Sequence, residues 1–334
     1  MKTSPQDSPA LTLVLAAALL LAACAPASPA VPVASAGPGV ATMTALPPTS
    51  GPTESGPTPG AAEWKDLVYA GVSPAQKLDL YLPPGAGPLP LLIYVHGGGF
   101  RMGDKNLPAA RGILDGLLAR GYAVASLNYR LSGEAEFPAA IQDVKTGVRW
   151  LRAHAREYRL APGRFGAWGD SAGANLVSLL GTSCGDPELE AAELGNPDQS
   201  SCVQAVVDFY GPIDFLQMDA QLAGTECPVN HDRPNSAESQ YVGGPIQQMK
   251  TLVGQANPIT YITADDPPFF IQHGSKDCTV PPQQSQLLYE ALKPVIGEGR
   301  VTLTYLEGAE HGDKMFFSPS NLRAVIDFLD KYLK

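Results

Sequence analysis

The sequence lacks the features on which nucleic-acid-binding, membrane-spanning and repeat proteins depend. Its 334 residues hold 23 Lys and Arg against 33 Asp and Glu, a formal net charge of -10, and the basic residues form no block. This balance argues against nucleic acids and anionic lipid surfaces as partners. One long apolar run, Leu11 to Ala23, is shorter than a membrane-spanning helix needs. The chain also has no internal repeat, which argues against a solenoid or a propeller.

The first 23 residues have the pattern of an export signal. Lys2 is the only early positive charge, and the apolar run ends in LAAC, Leu21 to Cys24. This ending is similar to the bacterial lipoprotein box, in which the cysteine is lipidated and becomes the new N-terminus. We therefore expect residues 1–23 to be a lipoprotein-type signal peptide and Cys24 to anchor an exported protein to the cell envelope. The alternative is an ordinary secretory signal cut after a nearby alanine.

Residues 24–62 consist almost entirely of Ala, Pro, Ser, Gly, Thr and Val. Such a segment cannot bury a core, and its prolines remove backbone donors. It is predicted to be a disordered linker that holds the folded part, residues 63–334, away from the membrane. Roughly 270 residues are enough for one large α/β domain.

Four cysteines remain after Cys24, and they suit two disulfides in an exported chain. Three pairings are possible. We favour Cys184–Cys202 and Cys227–Cys278, because the first pair brackets the short polar loop GDPELEAAELGNPDQSS. The cysteines are not spaced like zinc ligands, and no histidine pair accompanies them. The sequence therefore predicts no metal and no cofactor.

Strand patterns alternate with helix patterns along residues 63–334. The strand patterns are KLDLYLP, PLLIYV, YAVASLNY, RFGAWGD, VQAVVDFY, PPFFIQH and VTLTYLE. Helical periodicity is found in ARGILDGLLARG, AGANLVSLLG, QSQLLYEALKPVIG and SPSNLRAVIDFLDKYL, and from Ala139 to Tyr158. The inner side of the Ala139–Tyr158 helix is predicted to carry Val144, Val148, Trp150 and Leu151. This alternation predicts an α/β fold with a mainly parallel central sheet and helices on both faces.

Every candidate chemical motif follows a predicted strand. HGGG begins at His96, GDSAG surrounds Ser171, HGSKD ends at Asp277, and EGAEHG contains His311. Because the carboxyl ends of parallel strands meet at one edge of a sheet, these motifs are expected to lie together.

Ser171 lies between Gly169 and Gly173 at G-x-S-x-G spacing. Small flanking residues are what a tight strand-to-helix turn with an exposed serine requires. The alternative is a serine that only caps the following helix.

A serine hydroxyl needs a base to take its proton, and the base needs a carboxylate to hold its tautomer. Ser171, Asp277 and His311 supply these groups in the chain order Ser…Asp…His. Asp214 is the main rival to Asp277. Asp265 and Asp266 precede their strand and so lie at its wrong end. His154 is on a predicted helix among charged neighbours, and His231 is in the polar insertion. Structural roles are expected for Asp170, His96 and His273.

The oxyanion of an ester intermediate needs preorganised backbone N–H groups. A glycine run allows such groups to approach a substrate closely. We predict Gly98 and Gly99 as donors, with Gly97 as a possible replacement for one of them, and Ala172 as the donor directly after the nucleophile.

Together, HGGGF, GDSAG, HGSKD and EHG resemble the α/β-hydrolase superfamily, specifically its HGGG-type esterases. These include the hormone-sensitive-lipase-like enzymes and the bifunctional feruloyl/acetyl-xylan esterase-like group. AVVDFYGPIDF, SAESQYVGGP and ANPITYITADDPPFFIQHGSKD are similar to the second group. The resemblance runs from about Leu67 to the C-terminus and implies Ser171 as nucleophile, Asp277 as acid, His311 as base and HGGG as oxyanion loop. Cys278 departs from the pattern, and a disulfide there would tie the acid's loop to the insertion after Phe215.

The resemblance implies a carboxylic ester hydrolase. The helical cap of the hormone-sensitive-lipase-like branch has no counterpart here, and Leu216 to Asn257 is expected to form a small partial lid. An open site of this kind favours short acyl chains or esters on bulky carriers, such as acetyl or feruloyl groups on polysaccharides. The alternatives are a serine exopeptidase of the prolyl-oligopeptidase type and a binding protein that keeps the fold without catalysis.

Overall fold

The computed structural model describes residues 60–106, 111–227 and 229–334, with the side chain of Arg111 excepted. The predicted signal peptide, the predicted lipidation site Cys24 and nearly all of the predicted linker lie outside the described residues. No helix within those ranges is long and apolar enough to cross a membrane.

The described strands form one eight-stranded sheet in the order β1-β2-β4-β3-β5-β6-β7-β8. They are β1 Ala62–Val68, β2 Lys77–Leu82, β3 Leu89–Val95, β4 Ala123–Leu127, β5 Leu160–Asp170, β6 Ala205–Phe209, β7 Phe269–Gly274 and β8 Val301–Leu306. β2 runs antiparallel to both β1 and β4, and every pair from β4 to β8 is parallel. The predicted mainly parallel sheet is confirmed. The parallel strands therefore end at a common edge, where the loops can converge.

Helices cover both faces of the sheet. They are α1 Arg111–Ala119, α2 Ala139–Ala153, α3 Ala172–Thr182, α4 Pro187–Glu190, α5 Met218–Leu222, α6 Ala237–Tyr241, α7 Lys250–Gln255, α8 Gln283–Ile296 and α9 Pro319–Leu333. One core packs α1 and α9 against residues such as Leu92 and Trp168. The opposite core packs α2, α3 and α8 against Leu91 and Ile93. Along β3, the side chain of Leu92 lies on the face opposite to those of Leu91 and Ile93, so this buried strand contributes to both cores.

The second predicted helix is shorter than its sequence pattern. It was expected to reach Tyr158, but α2 ends at Ala153, and Arg159 adopts a positive φ of 58° before β5 begins. Tyr158 stays buried and packs edge-on against Trp64, with 5.0 Å between ring centroids. Because buried side chains continue through this turn, the sequence shows the apolar spacing of a longer helix. Trp150 is half-buried at the margin of the core rather than inside it.

The insertion after β6 forms short helices instead of one long element. α5, α6 and α7 lie in it, separated by turns, and all three are six residues or shorter. Tyr241 of α6 stacks flat on Phe100, with 3.9 Å between centroids and 5° between ring planes. The insertion thus packs directly onto the loop that follows the HGGG motif.

Candidate active site

Ser171 lies at a sharp turn between β5 and α3. Its backbone has φ 53° and ψ -122°, a conformation that a residue with a side chain rarely adopts. The Ser171 N–H donates to the Phe209 carbonyl at 2.9 Å, which ties the turn to β6. Ser171 occupies the N-cap position of α3, yet its side chain makes no capping hydrogen bond. The strained backbone therefore presents the hydroxyl outward instead of using it to finish the helix.

The glycines on either side of Ser171 have no room for a side chain. A Cβ on Gly169 would lie 2.2 Å from the Gly173 carbonyl oxygen. A Cβ on Gly173 would lie 2.1 Å from the Val95 carbonyl oxygen. The G-x-S-x-G spacing is thus required by close backbone packing between β3, β5 and α3.

The structure brings the three predicted triad residues into one hydrogen-bonded chain. The Oγ of Ser171 lies 2.9 Å from Nε2 of His311. Nδ1 of His311 lies 2.6 Å from Oδ2 of Asp277. With a proton on Nδ1, His311 donates to Asp277 and leaves Nε2 free to accept the serine proton.

Asp277 is buried and held by several donors. Its Oδ1 accepts from the N–H groups of Thr279 at 2.8 Å and Val280 at 2.9 Å. Burial by itself would raise the pKa of this carboxyl, but hydrogen bonds from His273 and His311 hold it well below its usual range. Asp277 is therefore a carboxylate at any pH near neutrality.

His273 positions this acid from behind. Its Nδ1 lies 2.6 Å from the Ser285 hydroxyl. Its Nε2 lies 2.9 Å from the Val280 carbonyl oxygen and 3.3 Å from Oδ2 of Asp277. Nε2–H can donate only to these oxygens, while Nδ1 accepts from Ser285. The loop-shaping role predicted for His273 agrees with these contacts.

The predicted oxyanion donors line a cleft beside Ser171. Gly98, Gly99 and Ala172 border a cavity of about 370 Å³ that also contains Ser171 and His311. Gly98 and Gly99 have positive φ values of 114° and 60°. These conformations suit glycine and turn the loop so that its backbone faces the cleft.

The Gly97 backbone lies against the carboxylate of Asp170 and lowers the pKa of that group. The hydroxyl of Tyr94 donates to the same carboxylate. Asp170 is thus a structural hydrogen-bond acceptor beneath the loop, as the sequence indicated. Burial raises its pKa, and the hydrogen bonds from its partners oppose that rise.

Tyr210 is a site residue that sequence reasoning missed. It follows β6 with φ 46°, and its ring lies edge-on to that of His311, with 4.8 Å between centroids. The ring also packs against Phe316 and lines the cleft. Its place directly after β6, where the other site residues also follow strands, was the signal that could have found it.

The rival candidates have other partners. Asp214 caps the turn after it by accepting from the Leu216 N–H at 3.1 Å. Asp266 caps a loop before β7, at the opposite edge of the sheet. Nδ1 of His96 lies 2.8 Å from the Gly97 carbonyl oxygen. The remaining histidines bond elsewhere, His154 to Trp150 and His231 to Glu238.

The two disulfides have the pairing that the sequence favoured, Cys184–Cys202 and Cys227–Cys278. The second joins the insertion to the residue after Asp277. Among the described residues, no group of three or more His, Cys, Asp or Glu side chains is placed to hold a metal ion.

Comparison with known proteins places the chain in one family. Residues 78–292 match the BD-FAE family model, which is more than half of the chain. Esterase LipQ of Mycobacterium tuberculosis is 31% identical over 275 residues, covering 80% of this chain and 62% of LipQ. The chain therefore spans less than two thirds of the length of that relative.

Solved structures agree with this family. A bifunctional GH43-CE protein of Bacteroides eggerthii is 34% identical with a TM-score of 0.73, covering 80% of this chain and 35% of that one. A truncated carbohydrate esterase from gut microbiota is 28% identical, also with a TM-score of 0.73, covering 82% of this chain and 99% of that one.

Proposed function

The chain belongs to the BD-FAE family, and from this premise we propose that it is a serine carboxylic ester hydrolase. It would act through an acyl-enzyme on short-chain acyl or aryl esters of the acetyl or feruloyl kind. The observation that carries the proposal is the hydrogen-bonded chain from Ser171 through His311 to Asp277, which opens on the cleft lined by Gly98 and Gly99. Similar proteins named as esterases support ester hydrolysis over peptide hydrolysis.

In the acylation step, Oγ of Ser171 forms a bond to the ester carbonyl carbon while its proton moves to Nε2 of His311. The resulting imidazolium is stabilised by Asp277, which remains a carboxylate. Collapse of the tetrahedral intermediate breaks the bond to the alcohol oxygen. That oxygen takes the proton from Nε2, and the alcohol leaves.

The carbonyl oxygen carries the negative charge in both tetrahedral intermediates. The N–H groups of Gly98, Gly99 and Ala172 are the proposed donors to it, because they border the cleft at the nucleophile. A donor of this kind typically contributes on the order of 100-fold in rate. Gly97, the predicted replacement for one of them, is not among the residues that line the cleft.

In the deacylation step, a water molecule replaces the alcohol. Nε2 of His311 takes a proton from that water as its oxygen bonds to the acyl carbon. The second intermediate then collapses and returns the proton to Oγ of Ser171. The acid product leaves, and the groups regain their starting protonation states.

The size of the cleft supports short acyl or single-ring aryl groups. Its volume is about 370 Å³, at the low end for small-molecule sites, and the α6 residue Ala237 narrows it opposite Gly99. A Cβ on Gly99 would lie only 3.1 Å from the Ala237 Cβ. Ala237 therefore restricts the space directly over Gly99. The LAAC pattern further supports export with a lipid anchor at Cys24.

The test is hydrolysis of p-nitrophenyl acetate, butyrate, octanoate and palmitate, together with methyl ferulate, by the domain from Glu63 onward. We expect turnover that is fastest on the short chains or on ferulate and that is lost in Ser171→Ala. The control is Ser320→Ala, which removes an exposed hydroxyl on α9. A folded domain that cleaves none of these esters, or a Ser171→Ala variant that retains turnover, would overturn the proposal.

A further inference from the structure

A second pocket opens beside the catalytic cleft. Its volume is about 350 Å³, and Arg101, Ala237, Glu238 and Thr279 line both spaces. The two spaces therefore form one continuous depression. Beyond the shared wall, the second pocket is lined by side chains that can hydrogen-bond, including Asn230, His231, Arg233, Asn235 and Ser236.

Arg101 stands at the junction of the two spaces. It lies two residues after Gly99, and its Nε is 3.8 Å from the position that a Cβ on Gly99 would occupy. Its Nη1 is 3.5 Å from the Asn235 carbonyl oxygen, at the limit of a hydrogen bond. The guanidinium has five N–H donors in a planar fork that matches a carboxylate. Most of these donors remain available beside the proposed oxyanion loop.

Arg233 lies on the wall of the second pocket, in the insertion. Within the ranges that the structure describes, neither Arg233 nor Arg101 has a carboxylate within 4.0 Å. Among the described arginines, Arg130 is paired with Asp143 and Arg149 with Glu190, whereas exposed Arg156 and Arg323 have no such partner either, so it is their place in the pocket that distinguishes Arg101 and Arg233. Two exposed guanidinium groups without acidic partners thus face one pocket next to the nucleophile.

The carboxylate of Glu238 is the acidic group that both spaces share, and it has a cationic partner. Nδ1 of His231 lies 3.1 Å from Oε2 of Glu238, and both side chains are buried. Burial lowers the pKa of His231, but the hydrogen bond and charge of Glu238 raise it above its usual value. This shift favours the protonated imidazole of His231, whose charge offsets that of the neighbouring carboxylate. Asp232 lies outside the pocket lining and accepts from Gln247 at 2.8 Å.

We propose that this second pocket is a subsite for the alcohol part of an anionic ester, whose carboxylate binds Arg101 and Arg233. The assignment rests on the proposed esterase function. Arg101 borders both spaces and Arg233 borders the second pocket, so a substrate held at Ser171 can extend past Arg101 toward Arg233. The amide and hydroxyl groups of Asn230, Asn235 and Ser236 can bond sugar hydroxyls. The substrate class is accordingly an acyl ester carried on an acidic sugar, such as a saccharide that contains a uronic acid.

The test uses two acetyl esters that differ only in charge, 4-acetoxybenzoate and 4-acetoxybenzamide. The ratio of their kcat/KM values is measured for the wild-type domain, Arg101→Gln, Arg233→Gln and the control Arg156→Gln. Arg156 is exposed in the connection from α2 to β5, at the sheet edge opposite the site. Differences in leaving-group chemistry cancel when this ratio is compared between variants.

We expect the acid-over-amide ratio to fall about tenfold in Arg101→Gln, since charge-assisted hydrogen bonds are lost. A smaller fall is expected in Arg233→Gln and none in Arg156→Gln. The wild-type ratio should also decline as salt is added, because the arginines are exposed. Acetylated xylo-oligosaccharides that contain a glucuronic acid unit should likewise be deacetylated faster than neutral ones by the wild-type domain and Arg156→Gln, and this preference should be largely lost in Arg101→Gln.

Ratios that are equal in all four proteins would overturn the subsite while leaving the esterase proposal intact. Failure of the esterase proposal has a different signature. In that case the wild-type domain would cleave neither acetyl ester, or Ser171→Ala would cleave both.

Discussion

The two disulfides perform the same chemistry in regions that differ in almost every other respect. Cys184–Cys202 closes a loop between α3 and β6, at the edge of the sheet away from Ser171. Cys227–Cys278 joins the insertion to the loop of Asp277, across 51 residues of sequence. One region is a structural support, and the other borders the site.

The loop between Cys184 and Cys202 has strong additional support. Glu190 accepts from Lys145 and Arg149 of α2, each at 2.8 Å, and both cationic side chains are buried. No Lys or Arg side chain in the described part of the insertion around Cys227 forms an ion pair, and the Cys227 N–H donates to the Thr225 hydroxyl at 3.3 Å. The disulfide is therefore one of several restraints in the first region, and in the second it is the covalent link between the insertion and the loop of Asp277.

Replacement of the acid, Asp277, should have the largest effect, and it leaves both disulfides intact. Asp277→Asn keeps the shape of the acid but favours the wrong tautomer of His311. By analogy with the same change in a serine protease, kcat should fall on the order of 10⁴-fold. The measurement is steady-state hydrolysis of p-nitrophenyl acetate, with circular dichroism to verify folding. A loss below about tenfold would mean that Asp277 is not the acid.

Paired serine substitutions at the cysteines compare the two regions directly. In the chain-entropy account, removing Cys227–Cys278 costs about 4 kcal/mol of unfolding free energy and removing Cys184–Cys202 about 3 kcal/mol. Only the variant without Cys227–Cys278 should also lose kcat/KM, by about tenfold, because the loop of Asp277 loses its covalent link to the insertion and can shift from its productive position. Denaturant unfolding and ester hydrolysis are measured on both. Equal activities in the two variants would contradict the distinction between the regions.

Glu190→Gln tests the region of Cys184–Cys202, which is expected to contribute to stability and not to activity. The change leaves buried Lys145 and Arg149 without their carboxylate, which should cost about 2 kcal/mol after allowance for partial solvent exposure. The activity of the folded enzyme should not change. Urea unfolding measures the loss, and Glu193→Gln, an exposed change in the same loop, is the control. A fall in kcat comparable to that of Asp277→Asn would show that the two regions are coupled.

The smallest expected effect is a pH dependence of the unfolding free energy that comes from Asp277. The folded state lowers the pKa of Asp277, so its carboxylate stabilises the fold fully above the unfolded pKa of about 3.9. That contribution is lost as the pH falls below this value toward the folded pKa. The difference in unfolding free energy between wild type and Asp277→Asn should therefore shrink below about pH 4. A difference that stays constant in this range would contradict the depressed pKa.

The strand-end loops were predictable from sequence because parallel strands force their carboxyl ends to one edge. His96, Ser171, Asp277 and His311 each follow a strand pattern, so their proximity required no knowledge of the insertion. The insertion itself was not predictable in detail. Its helices are too short to show a period, and they are held by long-range contacts such as Tyr241 on Phe100. Arg101 and Arg233 were missed because only this folding places them in one pocket.

Covalent labelling shows whether Ser171 is the nucleophile. The domain is treated with a p-nitrophenyl phosphonate ester, residual activity is followed on p-nitrophenyl acetate, and the modified peptide is mapped by mass spectrometry. We expect one phosphonyl group per molecule on Ser171 and loss of activity in proportion to labelling. Activity that survives complete labelling, or a label on another residue that accompanies inactivation, would contradict this role of Ser171.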